Sequence, residues 1–148
     1  MGDLAFPKKP RKPKPKKKRI PKLTVTKVQA EFNAAIRRRD IYCVTSGSQD
    51  SLQASHFFEV GGSSALRYHP DNVHSQSAGE HLTFHNRNVM PYTRWMEANT
   101  DLEWLERART RSIKYSQSVL YDIMAMCKAD KLDDLRIYIE GLIGGLNG

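Results

Sequence analysis

Cysteine is scarce. Cys43 and Cys127 are the two in 148 residues, far apart and without a pairing pattern. That argues against a disulfide-stapled secreted scaffold and fits a reducing setting. No apolar run approaches membrane-spanning length, and no apolar segment follows the basic start as it would in a secretory signal, so no membrane partner is expected. No internal repeat is visible, and an apolar content of 39% supports one modest core. Acidic residues are almost missing from the start: residues 1–22 hold Asp3 alone against ten Lys and Arg. Beyond residue 22 the two signs nearly balance, fourteen basic against fifteen acidic. The net charge of +8 and the pI of 9.6 therefore belong to the tail.

What the tail does have is proline among like charges. FPKKPRKPKPKKKRIPK carries five prolines, with Lys8, Lys9, Arg11, Lys12, Lys14, Lys16, Lys17, Lys18, Arg19 and Lys22 between and around them. Such a segment cannot bury apolar surface, and proline removes helix, so residues 1–23 read as a disordered, extended arm. A polyanion is its natural partner, because each neutralised phosphate releases counterions and gives salt-sensitive affinity without sequence reading. DNA is the expected partner; a solubility tail or a localisation signal is the plainer alternative.

Residues 24–148 form the folded unit. In TVTKVQAEFNAAIRRRD, Val25, Val28, Phe32 and Ile36 recur at helical spacing after a threonine cap, Thr24 or Thr26. Arg37, Arg38 and Arg39 close this helix (24–40), either as a solvated last turn that suits the helix dipole or as phosphate contacts. Residues 41–90 change character. IYCVTSG reads as a short β-like run, LQASHFFEV as a strand ending at Gly61-Gly62, and SALRYHPDNVH as a second run broken by Pro70-Asp71. GEHLTFHNRNVM returns to helical spacing until Pro91. Residues 91–148 read as helices: PYTRWMEAN, DLEWLERAR capped by Thr100 or Asp101, KYSQSVLYDIMAMCK, and a last helix. Leu132, Leu135, Ile139, Leu142 and Leu146 form one stripe on that last helix, either a homodimer seam or a face packed on the chain's own core. Trp95 and Trp104 are expected in the core. The expected fold class is α+β: a small hairpin-plus-helix core embedded in a mainly α-helical domain, with the basic arm appended.

The histidines carry the chemistry. His81 and His85 stand four apart and so share a helix face, where both imidazoles reach one metal ion. His56 lies on the expected strand, and Asn72 lies nine residues before His81. A phosphodiesterase needs a base to activate water and a cation for the charge that develops on phosphate and leaving oxygen. Each residue alone also has a structural reading, as a hydrogen-bonded strand histidine or a helix-surface histidine. His74 reads as a hairpin residue that packs or hydrogen-bonds, and His69 as exposed.

Together, His56, Asn72 in "DNV", His81 and His85 resemble the HNH, or ββα-metal, nuclease motif. DNVHSQSAGEHLTFH is similar in its Asn-to-His and His-to-His spacing to the colicin-type HNH DNases, which also carry Gly-Gly where Gly61-Gly62 falls. A broader resemblance covers about residues 26–138. QAEFNAAIRRRD, CVTSG, ASHF, LRYHPDNVHSQ and NVMPY resemble the phage NinG/Rap family of branched-DNA endonucleases. It implies a bacterial-host cytoplasmic setting and a metal-dependent endodeoxyribonuclease acting on Holliday junctions or D-loops. His56 and Asn72 would be catalytic, with one divalent ion (Mg, Mn, Zn or Ni) on His81 and His85. Arg67, at the family's "LR" position, is a candidate phosphate contact, and Arg37, Arg38 and Arg87 are further DNA-binding candidates. The pattern also departs from the family. Cys43, Ser46, Ser77 and Glu80 stand where it has two Cys-x-x-Cys pairs, so no structural zinc is expected. Gln53 stands where it has an acid, and Ser55 where colicin-type enzymes have a ligating histidine, leaving either as a weak third ligand. A non-catalytic DNA-binding protein with a degenerate HNH fold is the alternative; a structural metal-binding scaffold for protein partners is the third reading.

Overall fold

The computed structural model describes residues 2, 4–16, 19–61 and 64–144; Lys17, Lys18, Gly62 and Leu146 lie outside these. The architecture is α+β. The order is α1 (Val25–Arg39), β1 (Leu52–His56), a 3-10 turn at Pro70–Asn72, β2 (Val73–Ser77), α2 (Ala78–Asn86), α3 (Met90–Asn99), α4 (Leu102–Ala108), α5 (Gln117–Lys128) and α6 (Leu132–Ile143). β1 and β2 pair antiparallel from Leu52 opposite Ser77 to His56 opposite Val73.

The helices start where short polar side chains can satisfy free N–H groups. Thr24 accepts from Lys27 N–H, Ser77 from Glu80, Asp101 from Trp104 and Ser116 from Val119. α3 opens with Pro91 in its first turn, where no N–H is missed. α6 ends at Gly144, whose φ of 76° suits glycine.

Two apolar cores flank the hairpin. One joins α1, α5 and α6 through Phe32, Ile36, Leu120, Ile123, Leu135 and Ile139. The other joins α2, α3 and α4 through Leu66, Phe84, Tyr92, Met96 and Leu105. Val73, the first residue of β2, and Tyr68, in the loop before it, pack into the first core, while Phe57 and Phe58, just after β1, pack against the second. The hairpin is thereby clamped from both sides. The arm carries no helix or strand among its described residues, and its end is anchored. Leu23 exchanges two hydrogen bonds with the Gln117 side chain, 2.9 and 2.8 Å, and Tyr121 hydroxyl donates to the Pro21 carbonyl.

Several expectations need correction. IYCVTSG is a turn, not a strand: Gly47 N–H closes onto the Cys43 carbonyl at 2.8 Å, with Gly47 at φ 76°. The hairpin's return strand is VHSQS. SALRYH forms irregular turns, with an isolated bridge from Ser64 to Ser112. Pro70 lacks an N–H for a ladder and opens the 3-10 turn instead. Of the α6 stripe, Leu132, Leu135 and Ile139 are buried in the chain's own first core, the self-packed alternative, while Leu142 stays exposed. Trp95 and Trp104 are half-buried and sit against the second core's margin rather than in its centre. His69 is fully buried, not exposed.

Candidate active site

His56 ends β1 and is half-buried. Its Nε2 lies 3.2 Å from the Arg67 carbonyl and 3.5 Å from the Gln29 side-chain amide nitrogen. A carbonyl only accepts, so Nε2 carries the hydrogen, the Gln29 contact is a loose one, and the lone pair sits on Nδ1. Burial, with the Arg67, His81 and His85 charges, outweighs the carbonyl's effect and pushes His56 down to about 4. It is a neutral base near pH 7. Gln29 is itself held, donating to Asn33 at 2.8 Å and accepting from the Arg67 guanidinium at 3.1 Å.

Asn72 is fully buried. Its Oδ1 accepts from Phe58 N–H at 2.9 Å, and its Nδ2 donates to the carbonyls of Phe58 at 3.1 Å and Leu66 at 3.4 Å. The chain just after His56 is thus tied to the segment just before Arg67. Arg39 braces the same turn from behind, donating to the carbonyls of Pro70 at 2.9 Å and Val73 at 2.7 Å.

α2 begins as soon as β2 ends, because Ser77 is both the last strand residue and the cap. Phe84 buries the inner face and stacks on Phe57 with ring centres 5.5 Å apart. The helix then presents His81 and His85 together, ring centres 4.6 Å apart, over a cavity of about 310 Å³ shared with Gln53, Ala78 and Leu82. His81 Nδ1 lies 2.7 Å from Gln53 Oε1. That oxygen can only accept, so Nδ1 donates and Nε2 keeps its lone pair. Burial and the neighbouring His85 lower the His81 pKa, favouring the neutral imidazole that a metal needs. His85 Nδ1 faces the Glu59 carboxylate at 3.9 Å. Two imidazoles on one helix face, one with its tautomer fixed by an outer oxygen, fit a divalent ion whose remaining positions are water. Gln53 oxygen is engaged by His81. Ser55 is fully buried with its hydroxyl unpartnered.

His69 belongs to a different cluster. Its Nδ1 accepts from Asp71 N–H at 3.1 Å, so its Nε2–H donates to Glu140 at 3.1 Å, while Arg136 pairs with Asp71 at 2.8 Å. Although His69, Asp71 and Glu140 offer ligand atoms within 4.8 Å of one another, the Nδ1 and Nε2 of His69 are both engaged. The cluster ties α6 to the 3-10 turn. His74 sits in β2, buried, its Nδ1 3.1 Å from the Tyr92 hydroxyl, which donates to the Ser55 carbonyl.

The candidate phosphate contacts fall into two groups. Lys8, Lys9, Arg11, Lys12, Lys14, Lys16, Arg19, Lys22, Arg37 and Arg87 are exposed. Arg38 is paired with Asp130 at 2.7 Å, and Arg67 with Gln29. No helix among the described residues is long and apolar enough to cross a membrane.

A profile of the bacteriophage lambda NinG protein matches residues 7–135. The chain belongs to that family. No curated protein and no solved structure matches it. Within this NinG-family chain, the four positions expected to carry the Cys-x-x-Cys pairs, of which Cys43 alone keeps a cysteine, converge. Cys43 is buried, which would raise its pKa, yet hydrogen bonds from Ser46, Thr45 and the Ser77 backbone bring the thiol down to about 7. Thr45 hydroxyl lies 3.4 Å from the Cys43 sulfur and donates to Glu80 at 3.1 Å. A polar network therefore links these positions. Sequence reasoning missed Gln29, Glu59 and the Arg67 carbonyl as partners of the candidate histidines. All three contacts span the loops, and no local spacing encodes them.

Proposed function

We propose that this NinG-family protein is a divalent-metal-dependent DNA endonuclease. Its hairpin and α2 would form an HNH-type ββα-metal site that cuts branched recombination DNA, such as Holliday junctions or D-loops, in the bacterial cytoplasm. The observation that carries this reading is the state of His56: neutral, oriented through Nε2 by a backbone carbonyl, and within electrostatic reach of the His81/His85 pair. Its Nδ1 is free to accept a proton from the water that attacks phosphorus, the task of a general base. Breakage of the P–O3′ bond leaves 5′-phosphate and 3′-hydroxyl ends. His81 and His85 would hold the ion through their Nε2 atoms. When bound, the ion supplies positive charge for the phosphorane and the departing oxygen. Gln53 orients His81, Asn72 fixes the loop that aims His56, and the arm supplies affinity. A cleavage assay on junction, forked and linear DNA across Mg, Mn, Zn and Ni tests the reading. Cleavage of the junction that requires both metal and His56 supports it.

A non-catalytic DNA-binding protein is the second reading. The engagement of Gln53 by His81 and the burial of Ser55 favour it, since neither residue is free as a third ligand. Junction binding without cleavage under any metal would select it.

A further inference from the structure

A second cavity, about 480 Å³, opens beside the candidate site, lined by Phe57, Phe58, Glu59, Arg109 and Thr110. Three of these residues directly follow His56. Arg109 comes from the end of α4, where it caps the helix, and its guanidinium carbon stands 5.1 Å over the Phe58 ring. It has no ion pair or side-chain hydrogen bond among the described residues. Stacking on an aromatic face orders the fork without using its N–H donors. The platform beneath is fixed: Phe58 packs edge-on to Phe57 at 4.9 Å, and Asn72 grips its backbone.

We propose that Arg109 forms a phosphate subsite that holds the DNA backbone next to the scissile phosphate. The proposal rests on the endonuclease reading and deepens it by naming a second contact. Phe58 follows His56 by two positions, at most about 7 Å of chain. Successive nucleotides rise about 3.4 Å along a duplex strand. A backbone whose scissile group meets His56 therefore brings a neighbouring phosphate, one or two steps on, to this cavity. A planar, pre-ordered guanidinium with free donors matches phosphate oxygens in a bidentate manner. Glu59, 90% exposed on the same rim, carries the wrong charge for that ligand and gives the proposal a test of opposite sign.

The experiment measures junction-DNA affinity of the full chain against salt, with chelator present so that no metal contributes. Arg109→Gln, with melting temperature as the fold control, should weaken binding about tenfold, the worth of one charge-assisted contact. It should also lower the log–log salt slope by about 0.9. Glu59→Gln should strengthen binding. A neutral methylphosphonate at a phosphate flanking the cut should weaken the parent but leave Arg109→Gln unchanged. Unaltered affinity and slope in a folded Arg109→Gln overturn the subsite while leaving the nuclease reading intact. A parent that binds no DNA overturns both. If Arg109→Lys restores the slope but not the affinity, the charge sits at a phosphate and the planar fork adds the remainder, as proposed.

Discussion

Asn72 holds Phe58 by both backbone groups, accepting from its N–H at 2.9 Å and donating to its carbonyl at 3.1 Å. Two residues upstream of Phe58 stands His56, so this amide fixes where the candidate base points. Asn72→Ala would leave backbone groups unpaired in a largely buried place, each costing about 1–3 kcal/mol. We expect a stability loss of roughly 2–4 kcal/mol by chemical denaturation. Cleavage at a temperature where the variant is still folded should fall further than a melting shift explains, because His56 loses its aim. A variant as stable as the parent would show that the loop is held by other contacts.

His56 and His81 should fail in different ways. His56→Ala removes a proton acceptor and leaves both helix imidazoles in place. It should bind metal nearly as the parent does and cut about 100- to 10,000-fold slower, the usual worth of a general base. His81→Ala removes one of two imidazoles and should weaken metal binding by calorimetry, with residual cleavage needing more metal. Should His56→Ala lose the ion while His81→Ala keeps it, the two roles are reversed.

The pH dependence of stability follows from buried histidines. Burial and the nearby Arg39 charge push His74 down to about 3, far below an unfolded value of about 6.5. Between those values the unfolded chain binds the proton and the folded chain does not. Stability is therefore greatest above pH 6.5 and falls as pH drops through that window, by up to about 1.4 kcal/mol per pH unit for each such group. His69, lowered by burial against its carboxylate neighbours, contributes in the same direction. His74→Gln should flatten the slope of denaturation free energy between pH 6 and pH 4. An unchanged slope would mean that His74 is already solvated in the folded chain.

What the sequence reveals depends on range. α1 is legible because Val28, Phe32 and Ile36 sit one helical turn apart and Thr24 is a local cap. The His81/His85 pair is legible for the same reason, four residues on one face. β2 is not. VHSQS has the composition of a loop, and its buried serines and glutamine are tolerated because tertiary partners meet part of their need. Asp40 accepts from Ser75 N–H at 3.2 Å, and Gln76 donates to Thr45 at 3.2 Å. His69 reads as exposed because its partner Glu140 lies 71 residues away. The stripe on α6 is visible, but periodicity alone cannot tell a self-packed face from a seam. Arg38 and Arg39 illustrate the same limit. Three arginines in a row read either as a solvated last turn or as phosphate contacts; in the fold Arg39 donates to the Pro70 and Val73 carbonyls, and Arg38 pairs with Asp130.

The arm gives a prediction with a boundary in it. Its basic residues from Lys8 to Arg19 sit before the first anchoring contact, Pro21 carbonyl to Tyr121 hydroxyl, and before the paired hydrogen bonds of Leu23 with Gln117. Deleting residues 1–19 removes nine of the arm's ten positive charges and none of those contacts. Its melting temperature should match the parent's, while DNA affinity drops and its dependence on salt flattens. Deleting residues 1–23 also strips the anchor from α5. Exposed hydrogen bonds are worth about 0.5–1.5 kcal/mol each, so this longer truncation should lower stability by roughly 1–3 kcal/mol. The first helix should survive, because Thr24 remains to accept from Lys27 N–H. Comparing the two truncations by melting and by salt-dependent DNA binding separates the arm's charge from its root. If the shorter deletion already lowers the melting temperature, the charged residues contact the folded domain. If neither deletion changes the salt slope, the arm serves a partner other than DNA.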